Sequence, residues 1–282
     1  METINIHKGV RFLSIILLLS LSVGLSAQEK LIILHTSDMH SRVEPVERKD
    51  DRDFDRGGLV RRATFVKDFR KNNPEVLLFD SGDFSQGTPY YNLFQGEVEV
   101  KMMNEMKYDV MTIGNHEFDF GLENMARLFK MADFPVVCAN YDFDATVLKG
   151  LVEPYTIIKR DGLKIGVLGL GYPLEGMVQA NKCEGVIFKD PVETANEVAA
   201  LLKNKEKCDL VVCLSHLGVQ YDKKELIPNT RNIDVVLGGH SHTFMKAPVT
   251  LYNKDGKGVT LMHSGARGVS VGRMDVMLNK KK

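Results

Sequence analysis

The chain has 282 residues, 37 Lys+Arg against 37 Asp+Glu, 44% hydrophobic residues and no Trp. That apolar content is ample for a buried core, so a disordered chain is excluded, and the length suits one large α/β domain or two small ones. A formal charge of zero supplies no basic surplus for neutralising a phosphate backbone, so there is no electrostatic case for a nucleic-acid polymer as partner and specific chemistry must come from a local site.

At the N-terminus, His7, Lys8 and Arg11 precede an almost wholly apolar run from Phe12 to Val23, and Gly24-Leu25-Ser26-Ala27 leads into polar Gln28-Glu29-Lys30. A charged head, a short apolar stretch and small residues before a polar start read as a secretory signal peptide over residues 1–27. About a dozen apolar residues fall short of the ~20 that span hydrocarbon, so the expectation is an exported, periplasmic or secreted protein without a stable membrane anchor. Export permits disulfides, yet the spacing of Cys138, Cys183, Cys208 and Cys213 forms no framework. Cys138 and Cys213 sit in apolar runs as buried thiols, which leaves Cys183 with Cys208 as the pair open to bridging.

Continuous aliphatic and β-branched runs then recur at Leu31 to Leu34, Val76 to Phe79, Val110 to Ile113, Val136 to Ala139, Ile165 to Leu170, Leu210 to Leu214 and Val235 to Leu237. Runs that do not alternate with polar residues are strands covered on both faces. Amphipathic stretches of helical length lie between them, at Gly58 to Lys71, Asn92 to Met106, Leu122 to Met131, Val192 to Lys205 and Lys223 to Ile227, so the class is α/β. From Val259 to Leu278 the pattern is strand, glycine-rich turn, strand, which predicts antiparallel closure of a sheet. With no Pro/Ser-rich linker and no internal repeat, one domain over residues 28–282 is the economical reading.

The polar residues fall at the strand ends. His35-Thr-Ser-Asp38-Met-His40 follows the first run, Asp80-Ser-Gly-Asp83 the second and Gly114-Asn115-His116-Glu117 the third. Ser215-His216 follows Leu210 to Leu214, and Gly238-Gly-His240-Ser-His242 follows Val235 to Leu237. The carboxyl ends of parallel strands face one crevice, so these imidazoles and carboxylates can converge although some two hundred residues separate them. Imidazole, amide and carboxylate together favour Zn, Mn, Co or Fe over Mg or Ca.

This ordered set resembles the calcineurin-like metallophosphoesterases. The longer stretches His35-Thr-Ser-Asp38, Gly114-Asn-His-Glu-Phe-Asp119 and Gly238-Gly-His-Ser-His242 are closer to one branch, the exported 5′-nucleotidase, UDP-sugar hydrolase and cyclic-nucleotide phosphodiesterase family, and the similarity covers nearly all of residues 30–278. The resemblance implies a four-layer αββα sandwich with two mixed β-sheets. It implies one divalent ion on Asp38, His40, Asp83 and His242, and a second on Asp83, Asn115, His216 and His240, with Asp83 bridging. Two such ions clamp a phosphoryl group and lower the pKa of a shared water that attacks the ester. It further implies that His116, off the metals, stabilises transition-state oxygens or protonates the leaving group while Asp119 fixes its tautomer.

The expected substrate is a nucleotide or another small phosphate ester, with 5′-nucleotidase hydrolysis leading. Cyclic-nucleotide phosphodiesterase and UDP-sugar pyrophosphatase activities use the same centre. Relatives of this branch commonly carry a second domain that clamps the base, and the chain stops at Lys282, soon after Gly272-Arg-Met-Asp-Val. Either a separate C-terminal-domain-like polypeptide supplies that half, or small esters are hydrolysed with broad selectivity. A reading of another class is a non-catalytic, metal-binding partner subunit, against which the retained His116 argues. His35 and His263 read as structural, Asp50 to Arg56 as a solvated loop that could rim the crevice, and Asn140 and Arg267 as unassigned candidates for phosphate contact.

Overall fold

Aliphatic runs that leave water on both faces need a layer on each side, and the chain meets that need with two packed sheets under outer helices. The computed structural model describes residues 28–279, so the expected leader over 1–27 and the Lys280–Lys282 tract lie outside the described residues. The strands are β1 (Gln28–Thr36), β2 (Leu77–Asp80), β3 (Val110–Thr112), β4 (Val136–Val137), β5 (Tyr141–Asp142), β6 (Tyr155–Arg160), β7 (Leu163–Leu170), β8 (Ile187–Phe188), β9 (Leu210–Ser215), β10 (Val235–Gly238), β11 (Val249–Tyr252), β12 (Gly258–His263) and β13 (Gly272–Asn279). The helices are α1 (Leu59–Asn72), α2 (Pro89–Phe94), α3 (Glu97–Met106), α4 (Gly121–Met131), α5 (Pro191–Ala200) and α6, a segment of mixed α and π turns over residues 219–229.

One sheet has the order β13-β1-β2-β3-β4 and the other β11-β12-β10-β9-β7-β6, with β5 and β8 pairing apart from both. In the first, β1 to β4 run parallel and β13 antiparallel to β1. In the second, β12, β10, β9 and β7 run parallel, flanked by antiparallel β11 and β6. Successive strand residues point to opposite faces, so Ile33 enters the core between the sheets with Phe79, Val167, Val212 and Leu237, while Leu34 joins Val66, Val100, Met103 and Met125 under α1, α3 and α4. On the far side, Leu168, Val211, Val236 and Leu261 pack against Ala195 and Ala199 of α5 and Leu226 and Ile227 of α6. The layers are helix, sheet, sheet, helix, the αββα sandwich with two mixed sheets that the resemblance implied.

Three elements differ from expectation. The single helix expected from Asn92 to Met106 is broken at Gln95 and Gly96, both with left-handed backbone, and a Cβ on Gly96 would stand 2.7 Å from Leu128 Cδ1, so the turn presses the helical layer closely. β12 and β13 are not partners: β12 lies beside β10 in one sheet and β13 beside β1 in the other, so residues 264–271 cross between sheets. The alternation of Met274, Val276 and Leu278 explains this, because these side chains belong to the core between the sheets. All four cysteines are free; Cys183 packs with the helical layer of the first sheet and Cys208 with that of the second, so the sandwich keeps that pair apart. Among the described residues no helix is long and apolar enough to cross a membrane.

Candidate metal centre

Parallel pairing of β1, β2 and β3, and of β9 and β10, sends the five polar loops off the same edge of the sandwich. Backbone hydrogen bonds stitch the loops together: Asp38 N–H donates to Gly82 O at 2.9 Å, His40 N–H to Asp83 O at 3.0 Å and Gly239 N–H to Ser215 O at 2.8 Å. Asp38, His40, Asp83, His240 and His242 all have φ between 48° and 70°. Left-handed backbone at non-glycine residues costs about 1–3 kcal/mol each and persists where surrounding structure imposes it. Five of the residues that the sequence singles out therefore sit in strained backbone.

The nine expected site residues meet at this edge. Asp38, His40 and His242 bring ligand-type atoms within 4.8 Å of one another, as do His40, Asp83 and His116, and likewise Asp83, His216 and His240. The His40 and His242 Nε2 atoms face each other at 2.9 Å, and His242 Nε2 is 3.7 Å from Asp38 Oδ1. His216 Nε2 lies 3.1 Å from Asp83 Oδ2, and Asn115 Oδ1 is 3.0 Å from His240 Nδ1. One step back, Asp119 Oδ2 is 3.0 Å from His116 Nδ1.

Electrostatics follow from burial and these neighbours. Burial holds the His40 and His240 imidazoles down at about 4, in the neutral form whose lone pair can bind a cation. Burial would also depress His216, but Asp83 and Asp38 override it and push it up to about 10. Burial opposes ionisation of Asp83, yet His216 and the other imidazoles hold its carboxyl well below the usual range. The hydrogen bond that His116 Nδ1–H donates to Asp119 raises the imidazole, against its partial burial.

Among the rim's buried atoms, Asp38 Oδ2 and His40 Nδ1 have no hydrogen-bond partner, while His216 Nε2 has Asp83 Oδ2 beside it at 3.1 Å. A buried carboxylate or imidazole atom left without a partner carries a desolvation cost that a bound cation would offset. The donor set and these orphans fit divalent metal.

Together with the four-layer frame, that rim places the chain among the metal-dependent phosphoric ester hydrolases. Residues 31–244 match the family described as calcineurin-like phosphoesterase, and the chain belongs to that family. It is 34% identical over 286 aligned positions to the snake venom 5′-nucleotidase of Crotalus adamanteus, covering 93% of this chain and 47% of that protein. The crystal structure of a 5′-nucleotidase precursor from Thermus thermophilus superposes with a TM-score of 0.81 at 30% identity, over 89% of this chain and 54% of that one. Bacillus subtilis calcineurin-like phosphoesterase YfkN superposes with a TM-score of 0.74 at 28% identity, over 90% and 86% of the two chains. The chain spans about half the length of the curated relatives it matches.

Glu117 and Tyr172 have roles at the rim that the sequence pattern did not assign. Glu117 is buried and accepts from three backbone N–H groups, of Asp83 (2.9 Å), Gly114 (2.7 Å) and Ser85 (3.2 Å), which locks the second and third loops together. Burial, then Asp83, pushes its pKa up to about 7. An acidic residue between His116 and apolar Phe118, with no Lys or Arg beside it in sequence, is the trace it leaves. Tyr172 stacks on the His240 ring, centroids 4.0 Å apart, and carries no sequence signal. Asp51 and Asp53 bind Arg267, whose backbone N–H donates to Asp38 O at 2.7 Å, so the solvated loop is anchored to the rim.

Of the residues left unassigned, Asn140 is buried and exchanges hydrogen bonds with Gly171, a structural role. His263 is held by Asp222 at 2.8 Å and His35 contacts Ser81 Oγ at 3.1 Å, both within the core.

Proposed function

We propose that the chain is a dinuclear-metal phosphohydrolase of the 5′-nucleotidase type, exported, and acting on nucleotides or other small phosphate esters. The observation that carries this reading is the position of Asp83, which belongs to two of the three ligand clusters and lies 3.1 Å from His216. In this reading Asp38, His40, Asp83 and His242 hold one ion, and Asp83, Asn115, His216 and His240 the other. Such ions, when bound, neutralise phosphoryl oxygens and lower the pKa of water.

The chain's own groups do the rest. Asp119 fixes the tautomer and orientation of His116 by engaging Nδ1, which leaves Nε2 as the proton donor to a phosphoryl or leaving-group oxygen. A carboxylate partner that raises the imidazole keeps that proton available towards neutral pH. Glu117 keeps Asp83 and Gly114 in register and moves no proton in this scheme. Names of relatives support nucleotides as the substrate class, since the proteins from C. adamanteus and T. thermophilus are 5′-nucleotidases.

The test combines elemental analysis with phosphate release from AMP, 2′,3′-cyclic AMP, UDP-glucose and p-nitrophenyl phosphate. Two ions per chain with AMP preferred supports the reading, and no turnover of any ester by the metal-loaded protein refutes it. His116→Ala should lower turnover by roughly 10²–10⁴-fold with the metal content unchanged.

A further inference from the structure

Beside the rim, between the loop of residues 50–56 and the 264–271 crossover, lies a cleft of about 360 Å³ with His242 in its wall. Its other lining includes Arg52, Arg56, Arg267 and Phe244. That volume falls at the small end of ligand pockets, ~300–1,000 Å³.

The charges in this cleft are layered. Asp53 and Asp51 are only 13% and 20% exposed and face inward to Arg267, which holds Asp51 at 2.6 Å and Asp53 at 2.8 Å. The Arg52 and Arg56 side chains are 85% and 58% exposed, and each approaches Asp53 from outside, at 3.5 and 3.1 Å. A ligand entering from solvent therefore meets guanidinium groups with unused N–H donors, backed by carboxylates already engaged. Guanidinium matches phosphate in a planar, two-pronged way, and the exposed Phe244 ring offers an apolar face for a base or sugar. Arg267 also ties this wall to the Asp38 loop through its backbone, so the cleft keeps a fixed relation to the rim.

We propose that this cleft is a second anion subsite, which takes a phosphate group on the alcohol part of an ester whose reacting phosphate sits at the rim. The ligand class is a nucleoside bisphosphate. The inference rests on the phosphohydrolase reading for the rim and adds to it a selectivity that no rim residue provides.

The experiment compares wild type with an R52A/R56A double variant, both metal-loaded, on adenosine 3′,5′-bisphosphate, AMP and p-nitrophenyl phosphate. Loss of two charge-assisted phosphate contacts should raise KM for the bisphosphate at least about tenfold, leaving kcat and the KM of the two monophosphates unchanged. R52K/R56K should recover part of the bisphosphate KM, and salt should weaken the bisphosphate selectively in wild type. Equal shifts for all three esters, or an unmoved bisphosphate KM, would overturn the proposal. Should wild type hydrolyse no ester, the rim reading fails by itself. The cleft is then judged by calorimetric titration with adenosine 3′,5′-bisphosphate: binding lost in R52A/R56A supports it, and no binding or equal binding overturns it.

Discussion

Gly114→Ala isolates the geometry of the rim from its chemistry. Gly114 does not have positive φ, so alanine adds no backbone strain, but its Cβ would stand 2.2 Å from Asp83 Oδ1 and 2.6 Å from Asp83 N. An ordinary C–H···O contact needs ~3.3 Å, so the carboxylate must retreat by roughly 1 Å, and the clash with backbone N means that rotating the side chain alone cannot relieve it. Glu117 ties Asp83 N and Gly114 N to one carboxylate, which resists separation of the two loops. Overpacking of this kind costs about 1–3 kcal/mol of stability. A displacement of about 1 Å at a reacting centre costs ~10²-fold in turnover. The assay is phosphate release and metal content alongside a thermal melt. The control is Gly150→Ala, where φ is 73° and nothing lies within 4 Å of the added methyl: it should lose about 1–2 kcal/mol and no turnover. Full turnover and full metal content in Gly114→Ala would refute the account of how Asp83 is positioned.

Other substitutions separate support from chemistry. Glu117→Ala orphans three buried N–H groups at ~1–3 kcal/mol each, and with partial rescue by water the expected loss is about 3–6 kcal/mol in a chemical denaturation curve. Asp119→Asn leaves an amide oxygen to accept from His116 Nδ1 but removes the negative charge that helps raise the imidazole; the protonated donor form is then lost at lower pH, and the alkaline limb of the kcat/KM profile should move to lower pH. Tyr172→Ala should weaken metal binding by up to about tenfold in a calorimetric titration while Tyr172→Phe retains it, because the ring face is what packs on His240.

Much of the rim was legible because buried parallel strands leave an unmistakable trace: Leu31 to Leu34 and Leu210 to Leu214 are uninterrupted apolar runs, so the Asp38, His40 and His216 that follow them stand out. β6 left a weaker trace, since Tyr155–Arg160 is an edge strand that ends in two basic residues and is partly exposed, and only its pairing with β7 makes it a strand. β12 and β13 looked like a hairpin because a glycine-rich turn says that the chain bends, and the second strand's destination depends on which open edge its alternate apolar residues can reach. Contacts that cross the fold, such as Tyr172 on His240 or Arg267 on Asp51, involve residue pairs with no periodicity to betray them.

The central claim is that Asp83 stands between two cations. Crystals grown with manganese or zinc and measured at the metal edge should give two anomalous peaks per chain, one on each side of Asp83, with the peak beside Asp38, His40 and His242 selectively weakened in Asp38→Ala. A single peak away from Asp83, or none in protein that still releases phosphate, would contradict it.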